Sequence, residues 1–168
     1  MPRNFMIVGL PRSRTAWWSA VATTARSICL HEPSQHETGW PTGLDLAQVE
    51  FKGISEPGLH VDVFDFLDRK MPRTLIVDRP IEEVERSFFK WWYGSDGIVV
   101  PGLRELLSER HQVLNDPRLT NHRLVKRVPF HDLRSRAVVE SCFDWLMPDG
   151  PSFNPAYLGM NIQVDREY

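Results

Sequence analysis

The sequence predicts an α/β domain, a three-layer α/β/α arrangement around a mainly parallel sheet of about five strands. Three observations lead there. Short apolar runs alternate with segments of helical period along the whole chain. The first run, NFMIVGL, is apolar without alternation and stops at Gly-x-Pro, the profile of a strand buried on both faces. No repeat, low-complexity stretch or linker divides the 168 residues, so 1–168 reads as one domain with an irregular tail from about 148.

Taken in order, NFMIVGL is the first strand, and Ser13 is placed to cap a helix from about Arg14 to Ser27. SICLHEP is a second strand, cut off by Pro33, and SQHETGWPTGLD over 34–45 is a loop rich in turn formers. LAQVEFKGIS holds a short helical turn and a third strand, and HVDVFDFLDRKM spaces Val61, Phe64 and Leu67 as a helix does. RTLIVDR is the fourth strand. PIEEVERSFFKWWYG is a helix starting at Pro80, where no amide hydrogen is needed, with Glu82 and Glu83 favouring its positive end. GLRELLSERHQVL is a further helix, HRLVKRVPF the fifth strand and LRSRAVVESCFDWLM the last long helix, with one short helix around Asn154 to Met160.

Composition narrows the function. A net charge of −2 leaves no global footprint for nucleic acid. No apolar run is long enough to cross a bilayer, and the N-terminus enters a strand with no signal-peptide pattern. Cys29 and Cys142 have no metal-ligand spacing and sit in apolar runs, as buried small hydrophobes do. The six histidines are scattered, so no metal site is expected. A cytoplasmic protein with reduced thiols, bound to neither membrane nor nucleic acid, is the expectation.

The chemistry concentrates between the first strand and the first helix, in GLPRSRTAWWS. Ligands of such sheets bind beyond the strand carboxyl ends, where a helix N-terminus faces an anion. Backbone amides, Arg12 and the hydroxyls of Ser13 and Thr15 suit phosphate or sulfate there. The nucleotide-hydrolase loop G-x-x-x-x-G-K-S/T, laid on from Gly9, meets Arg14, Thr15 and Ala16 instead. The lysine for the β and γ phosphates and the hydroxyl for magnesium are both missing, which disfavours an ATPase or kinase.

This segment resembles the 5′-phosphosulfate loop of the sulfotransferases, roughly Pro, Lys/Arg, Ser, Gly, Thr, Thr/Ser, Trp/Leu, and the chain is similar to a small bacterial or phage-like member. The resemblance implies a P-loop fold and a metal-free cofactor, 3′-phosphoadenosine 5′-phosphosulfate (PAPS), leaving as adenosine 3′,5′-bisphosphate. It implies that Arg12 contacts the 5′-phosphate and bridging oxygen, that Ser13 and Thr15 fill the hydroxyl positions, and that Trp17 stacks on adenine. Arg14 replaces the usual glycine and Ala16 a usual hydroxyl residue. An arginine at position 14 is strained if the loop needs positive φ; alternatively it adds an anion contact.

A second motif lies in TLIVDRPIEEVERSFF. In the family the corresponding strand ends in arginine, a serine follows eight positions later, and both hold the 3′-phosphate. Here Arg79 ends the strand and Ser87 lies eight positions on. A guanidinium fork facing a hydroxyl is a reasonable phosphate clamp; the plainer reading pairs Arg79 with Asp78 or Glu83 and leaves Ser87 on a solvated face. The family's C-terminal Arg-Lys-Gly contact has no counterpart after residue 150.

For the base, cytosolic members use a Lys-x-His segment. Lys52 in FKGIS matches its lysine, but Ile54 stands where the histidine would be. Other branches use a glutamate after the second strand, which makes Glu32 in CLHEPS the expected general base and His31 the reserve. His60 is a further candidate for the acceptor cleft, and Phe88 and Trp92 share a face of the helix that carries FFKWWY. The acceptor, a small molecule or a protein side chain, and the oligomeric state are not written in the sequence. A sulfotransferase-like binding protein without turnover and an atypical P-loop kinase are the competing readings.

Overall fold

The computed structural model describes residues 3–31, 49–56, 64, 72–92 and 102–160, with the side chains of Glu56 and of 89–92 outside the description. The loop at 34–45, most of the helical stretch at 61–72, Glu32, His60 and the Trp92 side chain therefore lie outside the described residues.

Five strands form one sheet: β1 (Arg3–Gly9), β2 (Ser27–His31), β3 (Phe51–Glu56), β4 (Arg73–Asp78) and β5 (Val125–Pro129), in the order β2-β3-β1-β4-β5. Every pairing is parallel, as the apolar strands and intervening helices demand. The helices are α1 (Thr15–Ala22), α2 (Ile81–Trp92), α3 (Leu103–Leu114), α4 (Pro117–Thr120) and α5 (Arg136–Leu146), with a 3₁₀ turn at Phe130–Arg134 and another at Pro155–Tyr157.

Successive strand residues point to opposite faces and divide the core in two. Phe5, Ile7, Leu75 and Val77 meet Trp17, Trp18 and Val21 of α1 and Val139, Cys142, Phe143 and Leu146 of α5. Met6, Val8, Ile54 and Ile76 meet Val84 of α2, Leu103, Leu107 and Leu114 of α3 and Leu119 of α4. The three-layer α/β/α architecture follows directly. Gly53 belongs to this packing, because a Cβ there would fall 2.0 Å from a ring carbon of Phe5 on the neighbouring strand. Only glycine leaves the ring its place.

The elements depart from expectation in several places, among them the last long helix, which starts at Arg136 rather than Leu133 because the Phe130–Arg134 turn takes the residues before it. Helix α1 ends at Ala22 rather than Ser27, because Thr23 turns to an extended conformation and its hydroxyl accepts from the Cys29 amide. Helix α4 was not expected; it has four residues, too few for periodicity to register, and rests on an Asp116 cap with Pro117 behind it. Ser13 does not cap α1: Arg14 occupies the capping position without a side-chain bond.

The order of the strands places the site. The chain leaves β1 into α1 on one face and leaves neighbouring β4 into α2 on the other. Connections that part to opposite faces open a crevice at the carboxyl ends of those two strands.

Candidate functional site

Gly9 ends β1 and starts the loop. A Cβ at Gly9 would stand 3.0 Å from the Val77 carbonyl oxygen and 3.1 Å from the Ser13 Cβ, so the chain approaches β4 closely there. The loop then turns tightly, with the Ser13 amide donating to Leu10 O at 3.2 Å. Arg12 and Arg14 both take left-handed backbone conformations, with φ of 65° and 61°. Position 14 does need positive φ, and the arginine there carries the strain, about 1–2 kcal/mol for a residue with a Cβ. Helix α1 begins at once, with Trp18 N donating to Arg14 O at 2.9 Å.

Arg12 reaches across the crevice: its Nε donates to Ser87 Oγ of α2 at 3.4 Å. Arg79, just beyond β4, donates from Nη1 to the backbone oxygen of Arg12. Its Nε lies 3.6 Å from Glu83 Oε2, and its Cζ sits 4.1 Å from the Phe130 ring centroid. Asp78, the other carboxylate named for Arg79, instead receives both prongs of Arg127. Arg12, Arg79 and Ser87 thus meet, joining the first strand's loop to the fourth strand's end and its helix.

The electrostatics of this group are one-sided. Burial, then the neighbouring Arg79, pulls Arg12 below the usual arginine value. Burial does the same to Arg79, assisted by Arg14 and Arg86 and opposed by Glu83. Burial and Arg134 lower Arg14. Two buried polar atoms, Ser13 Oγ and Arg79 Nε, have no hydrogen-bond partner among the described residues. Half-buried guanidiniums that repel one another beside unmet donors form a site an anion would satisfy.

The remaining candidates are placed as follows. Thr15 is buried and its backbone oxygen accepts from Ser55 Oγ at 2.6 Å, fixing α1 to β3. Trp17 is 2 % exposed, packed edge-on against Trp18 and beside Phe153, with its Nε1 donating to Tyr157 O at 2.9 Å. An adenine could stack on it only if the Pro155–Tyr157 turn gave way. Lys52 is not with the others. It is level with Asn4 and Ile28 at the amino end of the sheet, five residues of β1, about 16 Å, from Gly9. The segment match put Lys52 in the cofactor site, and the strand register overturns that.

His31 closes β2, with Nδ1 3.2 Å from Ser55 O; a carbonyl only accepts, so Nδ1 carries a proton there. Glu32 follows it in sequence and lies outside the described residues. Strand β2 stands two strand spacings from β1, about 10 Å, along the carboxyl edge that carries the loop.

Three side chains that sequence reasoning did not assign to the site come from the turn after β5. Phe130 lies against Arg79, His131 Nε2 is 2.8 Å from Glu83 Oε1, and Arg134 acts on Arg14. Their signal was position: they follow a strand at the same carboxyl edge. Comparison with protein-family models, with curated proteins and with solved structures finds no match to this chain.

Proposed function

We propose that the protein is a sulfotransferase of P-loop type, moving a sulfuryl group from PAPS to a hydroxyl or amine acceptor without a metal. The observation that carries this reading is the meeting of two motifs far apart in sequence. Arg12 Nε contacts Ser87 Oγ across 75 residues, and Arg79 contacts the Arg12 backbone across 67. The buried Ser13 Oγ, without a hydrogen-bond partner among the described residues, fits an oxyanion ligand.

When bound, PAPS supplies the sulfuryl group. Arg79 and Ser87 hold the 3′-phosphate. Ser13, Thr15 and the loop amides hold the 5′ end, and Arg12 faces the charge that grows on the departing oxygen. Glu32 takes the acceptor's proton as general base. His31 is the reserve.

A second reading has its own observation. Trp17, which would stack on adenine, is enclosed. A protein that binds anions at the loop and performs no transfer accounts for that. An atypical kinase remains disfavoured by the absent lysine and magnesium hydroxyl.

Calorimetric titration with adenosine 3′,5′-bisphosphate in magnesium-free buffer tests the site, and radiolabelled transfer from PAPS to a panel of hydroxyl and amine acceptors tests turnover. Binding of the bisphosphate but not ATP, with transfer lost in Glu32→Gln, supports the enzyme. Binding without transfer supports the second reading, and absence of binding refutes both.

A further inference from the structure

The guanidinium of Arg79 is fixed by its neighbours, and the outermost of them can change its charge. Nη1 donates to the Arg12 backbone oxygen, Nε lies 3.6 Å from Glu83 Oε2, and Cζ sits 4.1 Å from the Phe130 ring centroid. Glu83 is held in turn from its other side, with Oε1 2.8 Å from His131 Nε2. A carboxylate only accepts, so Nε2 carries a proton whether the ring is neutral or cationic. His131 from the turn after β5, Glu83 from the first turn of α2 and Arg79 from just beyond β4 thus stand in one row.

An anion seated on Arg79 meets opposite influences from Glu83. The carboxylate repels it. The same carboxylate, with the Arg12 oxygen and the Phe130 ring, leaves the guanidinium little freedom, and a fork set in advance binds an oxyanion at lower entropic cost. A second proton on His131 resolves the conflict, because a cationic imidazole cancels the charge of Glu83 without removing its hold on Arg79. Imidazole is the side chain whose charge changes near neutrality. The other charged groups around the row are carboxylates, guanidiniums and one amine, classes that keep their charge there. Asp132 and Arg134 share the turn with His131, Arg14 reaches Leu133 O from the start of α1, and Arg12 and Arg86 approach Arg79. On α2, Glu82 and Glu85 face Arg104; on β5, Arg127 is paired with Asp78 and Lys126 bonded to Ser141; on α5, Arg136 is paired with Glu140.

We propose that Glu83 and His131 are positioning residues for the anion of Arg79: Glu83 holds the guanidinium, His131 neutralises Glu83 when protonated, and anion and proton therefore bind together. The proposal rests on the assignment of Arg79 to an anion in the reading above, and on no other part of that reading.

Inorganic sulfate is the probe, since it keeps its double charge between about pH 6 and 8, the range in which histidine titrates. It is titrated calorimetrically at low ionic strength into wild type, Arg79→Gln, Glu83→Ala, Glu83→Gln and His131→Gln at both ends of that range. Wild type is expected to bind about three- to tenfold more tightly at the acid end, with net proton uptake read from buffers of different ionisation enthalpy. His131→Gln is expected to bind without that pH step. Glu83→Ala is expected to bind about tenfold more weakly than wild type although it removes a negative charge, and Glu83→Gln, which keeps an acceptor for Arg79, to recover most of the loss. No pH step in wild type, a step that survives in His131→Gln, or a Glu83→Ala that binds as tightly as Glu83→Gln overturns the proposal. Sulfate binding that is absent, or unaffected by Arg79→Gln, overturns it and takes the clamp with it. A separate titration with adenosine 3′,5′-bisphosphate keeps the two readings apart. If the bisphosphate binds while the sulfate results fail, this proposal alone falls; if sulfate behaves as expected and the bisphosphate does not bind, the positioning stands and the sulfotransferase reading falls. Circular dichroism of each variant separates lost binding from lost fold.

Discussion

Arg12 and Ser87 touch at 3.4 Å although 75 residues separate them in the chain. The contact exists because β1 and β4 are neighbours and send their helices to opposite faces of the sheet. Replacing Arg79 with alanine removes a guanidinium from that junction. Bisphosphate affinity is expected to fall by about ten- to a hundredfold, the range for a lost charge-assisted hydrogen bond. Ser87→Ala costs less, about fivefold. Magnesium-free calorimetry measures both, and an unchanged affinity in Arg79→Ala removes the clamp from the proposal.

Arg14 allows strain and contact to be separated. Its φ of 61° costs nothing for glycine and about 1–2 kcal/mol for a residue with a Cβ. Arg14→Ala loses the Leu133 contact and keeps the strain, whereas Arg14→Gly loses the contact and sheds it. Glycine is therefore expected to be the more stable variant by about 1 kcal/mol, against its usual disadvantage in the unfolded chain. Urea denaturation of the pair decides; alanine equal to or above glycine shows that the backbone is relaxed.

Much of this was legible beforehand, and the failures have physical reasons. Strands β1 and β4 could be read because burial on both faces makes them continuous apolar runs. Arg79 and Ser87 were singled out by the resemblance alone, and they meet Arg12 because a strand-end loop and the helix after the neighbouring strand lie at one edge of a parallel sheet. Lys52 could not: a segment match carries no register, and it took the alignment of Lys52 with Asn4 to place it at the far edge. The enclosure of Trp17 was hidden too, since the covering turn at Pro155–Tyr157 is remote in sequence and itself only three residues long.

Gly53 and Phe5 give a sharp test of packing. A Cβ at position 53 would overlap the Phe5 ring, so Gly53→Ala is expected to destabilise the protein by about 3 kcal/mol. Phe5→Leu in the same chain opens room for that methyl, and the double variant is expected to lose less than the sum of the single changes. Additive losses would show that the ring moves aside on its own.

Glu83 links the site to pH. His131 first, then Arg79, holds its carboxyl below the ordinary glutamate value of 4.5. A carboxyl whose folded pKa is depressed adds stability that is present above its unfolded pKa and lost as pH falls through the folded one. The stability difference between wild type and Glu83→Gln is thus expected to shrink as pH falls below about 4.5. Chemical denaturation across about pH 3 to 5 measures it; a difference that grows as the pH falls through that range contradicts the assignment.

The two thiols should be inert. Burial pushes Cys29 far above the ordinary thiol range and raises Cys142 as well. Neither is expected to react with a thiol reagent at pH 8, about half a unit below a free cysteine's pKa, until denaturant is added. Labelling of the native protein at either position would mean that the side of the sheet carrying α1 and α5 opens.

The indole of Trp17 is fastened to a main-chain oxygen, and that choice of acceptor has a consequence for variation. Every amino acid supplies the same carbonyl, so this tie is set by the main chain at position 157 rather than by its side chain. The tryptophan has no such latitude, since phenylalanine is smaller and offers no donor. Constancy of the indole, with no matching demand on the side chain at position 157, is what this fastening imposes on related chains.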